Sequence, residues 1–579
     1  MTRTAPTRTP RAAALAASLS AAAVSALAVL TPGSASAGLV DEPVTSSAPG
    51  AALSLAPLGT YETGVLDESA AEIVEHWAAG QRLLVVNAAQ AKVEVLDASD
   101  PAAPTKLFDL QTTGVVSADG SFVPDGAVAN SVAVREDGLG VVAVEAPDKT
   151  DAGWLVFFDA AGSGGALGAV RVGALPDMVT LTPDGARAVV ANEGEPAEDY
   201  SVDPEGSVSV VDLPRVVRAA TQAAVRTAGF HAFEGAALPA GIRVYGGRAD
   251  AGTGTPAYPV SENLEPEYVT VDQTSRTAYV TLQEANGVAV VDLRSARVSD
   301  VWSLGTVDRS RVPFDASDRD GIAIRTYADV RTFRQPDAIA SYRVRGTTYL
   351  VTADEGDTRD WDGYSEEIRV GDLGRNGIEP ACAAVKAGDG FAGLSRLKIT
   401  RADGLDPTGT CYETLYGFGG RGISVFTSDG RLVADTGDEI ERMTAAAVPG
   451  SFNSDHATSS FDNRSDDKGP EPEGVTLGKV AGRTYAFVGL ERVGGVVVYD
   501  VTEPARPRFV TWTDNRDFSV SGTTDLARAG DLGPEGLAFI AADDSPNGDP
   551  LVAVGNEVSG TTTLFDVERL RPHGHRVGE

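Results

Sequence analysis

Short apolar segments alternate with polar turns along most of the chain. The segments are rich in valine, and turns such as Thr182-Pro183-Asp184-Gly185 and Ser428-Asp429-Gly430 separate them. Valine-rich runs bounded by Gly, Pro and Asp are typical of strands joined by tight turns. The pattern predicts an all-β protein. The 64 glycines and 32 prolines agree with it, because they are too many for a helical bundle of this length.

One unit is repeated along the chain: an acidic residue, an apolar strand, a turn, a second strand ending in Asn or Glu, a polar loop and a third strand ending in Asp. Two weaker copies begin at Glu72 and Asn130, and a degenerate eighth copy covers residues 397–435. The clear copies open at Pro176-Asp177, Pro266-Glu267, Pro336-Asp337, Pro472-Glu473 and Pro534-Glu535.

A three- or four-stranded meander cannot bury its faces alone, whereas a ring of meanders can, so the repeat predicts a β-propeller. The competing parallel β-helix has repeats much shorter than the roughly 60 residues of this unit. Eight copies predict eight blades, or seven if the degenerate copy is absorbed into a neighbour. The last copy stops after its third strand, so we expect the segment Leu53 to Glu62 to supply the missing outer strand and close the ring.

The N-terminus has the order of a signal peptide. Three arginines precede an uncharged run from Ala12 to Leu30, and Ala35-Ser36-Ala37 follows. The run is long enough for an uncleaved membrane anchor, but its Ala and Ser content and the A-x-A ending favour removal. We therefore predict a signal peptide at 1–37, a linker at 38–52, a single propeller at 53–568 and a polar tail at 569–579.

The composition excludes several classes of binding partner and active site and indicates an extracellular environment. The 579 residues include 82 acidic and 48 basic side chains, a formal charge of −34, which argues against nucleic acid or an anionic membrane as partner. We expect a secreted monomer without a membrane span in the mature chain, in which Cys382 and Cys411 form a disulfide. The five histidines lack zinc-hydrolase spacing, and no G-x-S-x-G, Walker or dinucleotide motif occurs.

Antiparallel geometry predicts that acids meet at one edge of each meander, because strand one starts where strand two ends. Strand one is innermost in a propeller, so these pairs should ring one mouth of the central channel. The predicted pairs are Glu72/Asn87, Asn130/Glu145, Asp177/Glu193, Glu267/Glu284, Asp337/Glu355, Glu473/Glu491 and Glu535/Glu557.

So many converging carboxylates need neutralisation, and Ca²⁺ takes oxygen ligands of this kind. The candidate ligands are Asp315, Asp318, Asp320, Asp337, Glu355, Asp357, Asp360, Asp362, Asp466, Asp467, Glu473, Glu491 and Glu535. The alternative is an ion-free lattice of salt bridges made by Arg319, Arg359, Lys468, Arg492 and Arg516. No loop matches the full EF-hand pattern.

Several motifs resemble those of the choice-of-anchor I domain family. They include ANEGEPAEDYSVDPEGSVSVVDL, DASDRDG, EGDTRDWDGYSEE, NRSDDKGPEPEGV, GLERVGGVVVYDV and NEVSGTTT, and the likeness runs from about Leu58 to Val567. The resemblance implies an exported propeller held at the cell surface by varied C-terminal anchors. Its members resemble the mesenchyme-specific cell-surface glycoprotein of animals and are often labelled alkaline phosphatases. No anchor motif follows Val567, which favours free secretion over surface attachment.

Two functions are compatible with these features. The first is a cation-stabilised extracellular module that binds a protein or carbohydrate on its acidic face. The second is a Ca²⁺-dependent phosphoric ester hydrolase, in which Asp337, Glu355, Glu473, Glu491 and Glu535 hold the cations while Lys468 and Arg492 clamp phosphate. An enzyme would gather its acids around one pocket, whereas each clear copy here carries its own acid pair. This distribution favours the binding module.

Overall fold

The strands of this protein form a ring of antiparallel sheets in a computed structural model, which describes residues 38–235, 238–245, 259–520 and 526–570. The predicted signal peptide lies outside the described residues, as does the polar tail beyond residue 570. Seven sheets of the described part have four or five strands, and we number them sheet 1 to sheet 7 in chain order.

The first four sheets each contain four consecutive strands. Sheet 1 contains Val74–Trp77, Arg82–Asn87, Lys92–Asp97 and Thr105–Gln111, and sheet 2 contains Val128–Val134, Leu139–Glu145, Ala152–Asp159 and Ala166–Ala174. Sheet 3 contains Pro176–Leu181, Arg187–Asn192, Ser207–Asp212 and Val225–Gly229. Sheet 4 contains Pro266–Val271, Thr277–Leu282, Gly287–Asp292 and Arg297–Ser303.

The last three sheets combine strands that are distant in sequence. Sheet 5 contains Ile339–Val344, Thr347–Ala353, Ile423–Thr427 and Leu432–Asp435. Sheet 6 contains Pro472–Val480, Arg483–Leu490, Val496–Asp500 and Arg508–Asp514, with Val44–Ser47 added at its outer edge. Sheet 7 contains Pro534–Ile540, Leu551–Asn556, Thr561–Arg569 and the N-terminal strand Leu53–Glu62.

The N-terminal strand closes the ring as the sequence predicts. It pairs antiparallel with Thr561–Arg569, from Leu53 opposite Arg569 to Glu62 opposite Thr561. The first strand of each sheet contacts the first strand of the next, and that of sheet 7 contacts that of sheet 1. The chain is therefore an all-β protein with the β-propeller fold.

Each seam between neighbouring sheets is filled by its own cluster of buried apolar side chains. In sheet 3, Val189 packs toward sheet 4, whereas its neighbour Val190 packs toward sheet 2. Both faces of such a strand are buried, which explains why its sequence is continuously apolar. Burial stabilises each valine by roughly 1.5–3 kcal/mol relative to exposure.

The expected eighth unit does not form a sheet, so the described ring has seven sheets. Its last two strands, Ile423–Thr427 and Leu432–Asp435, complete sheet 5. Its first strand, Lys398–Thr400, pairs with Glu367–Arg369, which follows the second strand of sheet 5 along the chain. The third strand of sheet 5 is therefore Ile423–Thr427, whose residues are all buried, and not Glu367–Arg369, which is half-buried.

Residues 354–422 are consequently an insertion between the second and third strands of sheet 5. It contains the hairpin Asp360–Trp361 with Tyr364–Ser365, and the strand Leu415–Gly417, which joins Thr306–Asp308 and Val330–Phe333 in a further sheet. Cys382 and Cys411 form a disulfide in this insertion. Phe314, Tyr327, Val330 and Tyr412 help to build a separate apolar core around it.

Helices are short in the described residues. The α-helices are Val260–Asn263, Ala383–Lys386 and Glu439–Ala447, and the 3₁₀ helices are Ala78–Gly80, Ala88–Gln90, Gln222–Ala224, His231–Phe233, Val370–Asp372, Phe391–Gly393 and Leu526–Arg528. Within the described ranges, no helix combines the length and hydrophobicity that crossing a bilayer requires.

Candidate functional site

The acidic residues that open the first strands line a small cavity on the axis of the ring. The cavity has a volume of about 130 Å³ and is bordered by residues that lie in, or just before, the first strands of all seven sheets. Its acidic lining consists of Asp177, Glu267, Asp337, Glu473 and Glu535, which we call the channel acids. The predicted convergence of the opening acids is therefore present in the structure.

A shared backbone irregularity places four of the channel acids. Pairing between the first and second strands is interrupted immediately after the opening proline in sheets 3, 4, 6 and 7, for example between Pro176 and Val179. Proline carries no amide hydrogen for the ladder and is tolerated at the first residue of a strand. The acid that follows it lies within the irregularity and borders the channel instead of joining a regular pair.

Acids that follow the second strands join the opening acids in groups that cross the seams. Glu267 and Glu284 of sheet 4 lie beside Glu193, which follows the second strand of sheet 3. Glu535 and Glu557 of sheet 7 likewise lie beside Glu72, which precedes sheet 1. Within each group, one carboxylate oxygen per residue lies within 4.8 Å of the others. Two predicted pairs are thus present, and each gains a third acid from the adjacent sheet.

Burial and mutual repulsion raise the pKa values of these acids. Burial, followed by the charges of Glu195 and Glu145, raises the pKa of Asp177 to about 7. Burial and the neighbouring carboxylates also raise the pKa values of Glu267, Glu473 and Glu535 well above the ordinary range of glutamate. Ionising these side chains is unfavourable unless a positive charge compensates.

Several of the acids have an oxygen without a hydrogen-bond partner in the described part of the chain. Each of these oxygens is the buried Oε2 atom, and the residues are Glu267, Glu284, Glu473, Glu491 and Glu535. Buried carboxylate oxygens are normally hydrogen-bonded or bound to a metal, because an unpaired one loses its hydration without compensation. These atoms identify where the site has unused capacity to bind a positive charge.

Most of the loop acids that the sequence offers as ligands lie in ion pairs instead. Asp318 contacts Arg396 at 2.7 Å and Arg319 at 3.1 Å, and Asp320 contacts Arg325 at 3.2 Å. Asp466 contacts Arg369 and Arg396, and Asp467 contacts Lys398 and Arg464. Asp315 is buried beside Glu441, and Asp360 and Asp362 are exposed. Of the loop candidates, Asp357 reaches the acids of the channel mouth, through Lys468.

Two basic side chains, Lys468 and Arg492, lie on one side of the channel mouth. Lys468 contacts Glu355 at 2.8 Å, Asp357 at 3.2 Å and Glu471 at 3.4 Å. Arg492 contacts Glu471 and Glu491, each at 3.0 Å. Lys468 and Arg492, predicted as phosphate contacts, therefore already bind carboxylates.

Glu471 lies at the centre of this group of charged side chains. The sequence patterns do not predict its role. Glu471 is fully buried and also contacts Arg464 at 2.8 Å. Burial opposes its ionisation, but Lys468, Arg464 and Arg492 outweigh burial and lower its pKa. The signal available in the sequence is its position two residues before Glu473, in a loop that also carries Arg464 and Lys468.

The proposed lattice of salt bridges is present on the loops and absent from the channel acids. Arg359 pairs with Glu265 at 2.7 Å, and Arg319 pairs with Asp318. The prediction is wrong for Arg516, which donates to the backbone carbonyls of Arg492, Val493 and Asp455 and forms no ion pair among the described residues. No ion pair in the described residues involves Asp177, Glu267, Asp337, Glu473 or Glu535.

The groups of acids at the seams suit a hard divalent cation. They offer carboxylate oxygens, and no thiol takes part because both cysteines are in the disulfide. Oxygen ligands of this kind suit Ca²⁺ and Mg²⁺, whereas zinc sites use mainly histidine and cysteine. One further group, His456 with Glu491 and Glu557, includes an imidazole, but Arg492 lies 2.7 Å from its Nδ1 atom.

Comparison with known proteins gives a family match over most of the propeller. The model of the choice-of-anchor I domain matches residues 72–504. The chain is 32% identical to the mesenchyme-specific cell surface glycoprotein of Strongylocentrotus purpuratus over 276 residues, which cover 42% of this chain and 35% of that protein. It is 32% identical to Gigasin-3a of Magallana gigas over 188 residues, which cover 31% of this chain and 66% of that protein. Each alignment thus spans less than two thirds of the relative.

Solved structures with a related architecture have low sequence identity. Hydrazine synthase of Kuenenia stuttgartiensis matches 88% of this chain and 99% of its own at a TM-score of 0.43 and 13% identity. The Swd1 β-propeller domain of Myceliophteria thermophila matches 89% of this chain and all of its own at a TM-score of 0.38 and 10% identity. These likenesses concern the fold and carry no information on function.

Proposed function

The chain belongs to the choice-of-anchor I domain family, and we propose that it is a secreted interaction module whose acidic channel face is stabilised by divalent cations. Its partner is an extracellular protein or carbohydrate. The name of the sea urchin relative, a cell surface glycoprotein, supports an extracellular setting. A rigid ring that presents loops around one face is a common way to build a binding surface.

The observation that carries the proposal is the distribution of the acids. The cation-poor groups lie at two separate seams, one between sheets 3 and 4 and the other between sheets 7 and 1. A catalytic pocket would concentrate such groups at one place, together with free cationic side chains for the substrate. A rim of acids at several seams is the arrangement expected of a stabilised binding face.

Divalent cations enter the proposal because the channel acids have no compensating charge in the described residues. Burial raises the pKa values of Glu267, Glu473 and Glu535, and the Oε2 atom of each has no hydrogen-bond partner among the described residues. A bound Ca²⁺ would remove the repulsion and satisfy the unpaired oxygens together. Binding only to the folded state also raises its stability, which gives the proposal a direct readout.

The alternative function is a Ca²⁺-dependent phosphoric ester hydrolase. Its support is that Lys468 contacts Glu355 and Arg492 contacts Glu491, while Arg464 meets both of these cations at Glu471. Its difficulty is that Glu471 already binds all three cations, and Lys468 is 7% exposed. A phosphate group would have to displace a buried carboxylate to reach them.

One experiment separates these functions. Protein from Gly38 onward is stripped with EDTA, Ca²⁺ is titrated while the Tm is recorded, and the same samples are assayed on p-nitrophenyl phosphate and on arrays of extracellular glycans and proteins. We expect a rise in Tm, no turnover, and Ca²⁺-dependent retention on an array. Ca²⁺-dependent hydrolysis that is lost in Glu473→Gln would replace the binding module with the hydrolase. An unchanged Tm would overturn the role of cations.

A further inference from the structure

The seam between sheets 3 and 4 holds three carboxylates in a cation-poor position, with Glu193 and Glu284 buried and Glu267 half-buried. Glu193 follows the strand Arg187–Asn192, and Glu267 and Glu284 lie at the adjoining ends of the first two strands of sheet 4. Glu193 and Glu284 are 6% and 7% exposed. One oxygen from each of the three residues lies within 4.8 Å of the others.

Two of these carboxylates have a buried oxygen with no hydrogen-bond partner in the described ranges, the Oε2 atoms of Glu267 and Glu284. The charge of Arg359 favours ionisation of Glu284, but its guanidinium already contacts Glu265 at 2.7 Å and Asn263 at 2.8 Å. The comparable group Glu355, Glu471 and Glu491 is neutralised by Lys468, Arg464 and Arg492. In the described ranges, by contrast, no ion pair involves Glu193, Glu267 or Glu284.

We propose that Glu193, Glu267 and Glu284 form a Ca²⁺ site that joins sheet 3 to sheet 4. The proposal deepens the proposed function, on whose divalent-cation part it rests, and it assigns ligands that the loop motifs did not indicate. Two ligand oxygens bound to one Ca²⁺ at about 2.4 Å are at most about 4.8 Å apart, and the three carboxylates each offer an oxygen within this distance of the others. The absence of histidine and cysteine from the group favours Ca²⁺ over a transition metal.

The backbone around the group is held firmly, so the three carboxylates are brought together before any ion binds. The amide of Glu193 donates to the carbonyl of Leu175 at 2.8 Å, and the carbonyl of Glu284 accepts from Arg243 at 2.9 Å. Gly206, beside the seam, would place an added Cβ atom 2.1 Å from the carbonyl oxygen of Leu264. A site assembled by rigid elements binds an ion without a large ordering cost.

The test compares Glu284→Gln and Glu267→Gln with the native protein and with Glu198→Gln. Glu198 is exposed on the loop that follows Glu193, so it is a matched control for loss of one charge. Ca²⁺ binding is measured by isothermal titration calorimetry on EDTA-stripped protein from Gly38 onward. We expect each site variant to lose one Ca²⁺ equivalent, or to bind it at least roughly tenfold more weakly, since loss even of a residue that supports a metal ligand has an effect of that size. The control should keep the native stoichiometry.

A second measurement, of the Tm, distinguishes loss of a Ca²⁺ ligand from misfolding of the variant. In EDTA, Glu284→Gln should have a Tm at least as high as the native protein, because the change removes one of three repelling charges. Addition of Ca²⁺ should then raise its Tm less than that of the native protein. A variant that binds the full complement of Ca²⁺ would overturn this site while leaving the proposed function intact. A native protein that binds no Ca²⁺ would overturn both the site and the role of cations.

Discussion

Carboxylates in chemically similar positions have opposite electrostatic states in this protein. Glu471 is buried among Lys468, Arg464 and Arg492, which lower its pKa despite its burial. Glu473, two residues away, is surrounded by other acids, and burial together with their charges raises its pKa. The difference arises from the neighbours that each side chain contacts and not from residue type.

Glu471→Gln should strongly destabilise the fold, because it leaves three cations buried without their shared partner. We expect the free energy of unfolding to fall by about 3–5 kcal/mol. Urea unfolding followed by tryptophan fluorescence measures the change, with the exposed Glu503→Gln as control. Equal stability of the two variants would show that the cations have sufficient partners without Glu471.

Two sheets are completed by strands that lie far away in the sequence. The N-terminal strand Leu53–Glu62 is the outer strand of sheet 7, and Ile423–Thr427 is the third strand of sheet 5 beyond a long insertion. Leu53 and Leu55 are each 2% exposed and pack in the core between sheets 6 and 7. Closure therefore relies on apolar burial as well as on the hydrogen bonds of the strand pair.

Leu55→Ala should weaken this closure by leaving a cavity in the seam between sheets 6 and 7. The expected loss is about 2–5 kcal/mol, as for other leucines truncated in a core. Ala56→Ser is the matched control, because Ala56 is the next residue and is exposed. Thermal unfolding of both variants gives the comparison, and a Tm equal to the native value for Leu55→Ala would show that the outer strand contributes little.

The whole molecule combines a closed ring of apolar seams with a strong excess of negative charge. Each seam has its own buried cluster, so every sheet buries its two faces against its two neighbours. The formal charge of −34 opposes this compact state through repulsion among the acids. Screening by salt should reduce that repulsion, because the Debye length falls to about 10 Å at 0.1 M.

In EDTA, raising NaCl from about 0.01 M to about 0.1 M should therefore raise the Tm by several degrees. Tetramethylammonium chloride should produce the same rise, because screening does not depend on the identity of the cation. Differential scanning fluorimetry measures both salts on the same preparation. A rise with sodium alone would point to specific binding of sodium at the carboxylate groups, and a fall in Tm would contradict the role of repulsion.

The repeated unit predicts most of the fold, because each strand carries the apolar pattern and turn residues of a meander. The eight repeated units favour eight sheets, whereas the described ring has seven. The degenerate copy at 397–435 contains genuine strands, but two of them complete sheet 5 and another pairs inside the insertion. Local pattern identifies a strand, whereas its partner depends on which of several apolar segments fills the buried position.

In the candidate site, too, contacts within one meander are predictable from the sequence, whereas contacts between sheets are not. The pairs Glu267/Glu284 and Glu535/Glu557 follow from antiparallel geometry within one meander, so the sequence is sufficient to predict them. The third members, Glu193 and Glu72, come from adjacent sheets across a seam. Their proximity depends on how the ring closes, which is not encoded in the spacing of any single unit.

The sequence by itself determined the all-β architecture, the closing N-terminal strand and the convergence of acids on one face, because these follow from local periodicity and from the direction of neighbouring strands. Only the tertiary structure decided which acids are neutralised. Asp318 and Asp466 meet arginines distant in sequence, whereas Glu267 and Glu284 meet other acids. Electrostatic energy falls with distance in space, and spatial neighbours are fixed when the sheets pack into the ring.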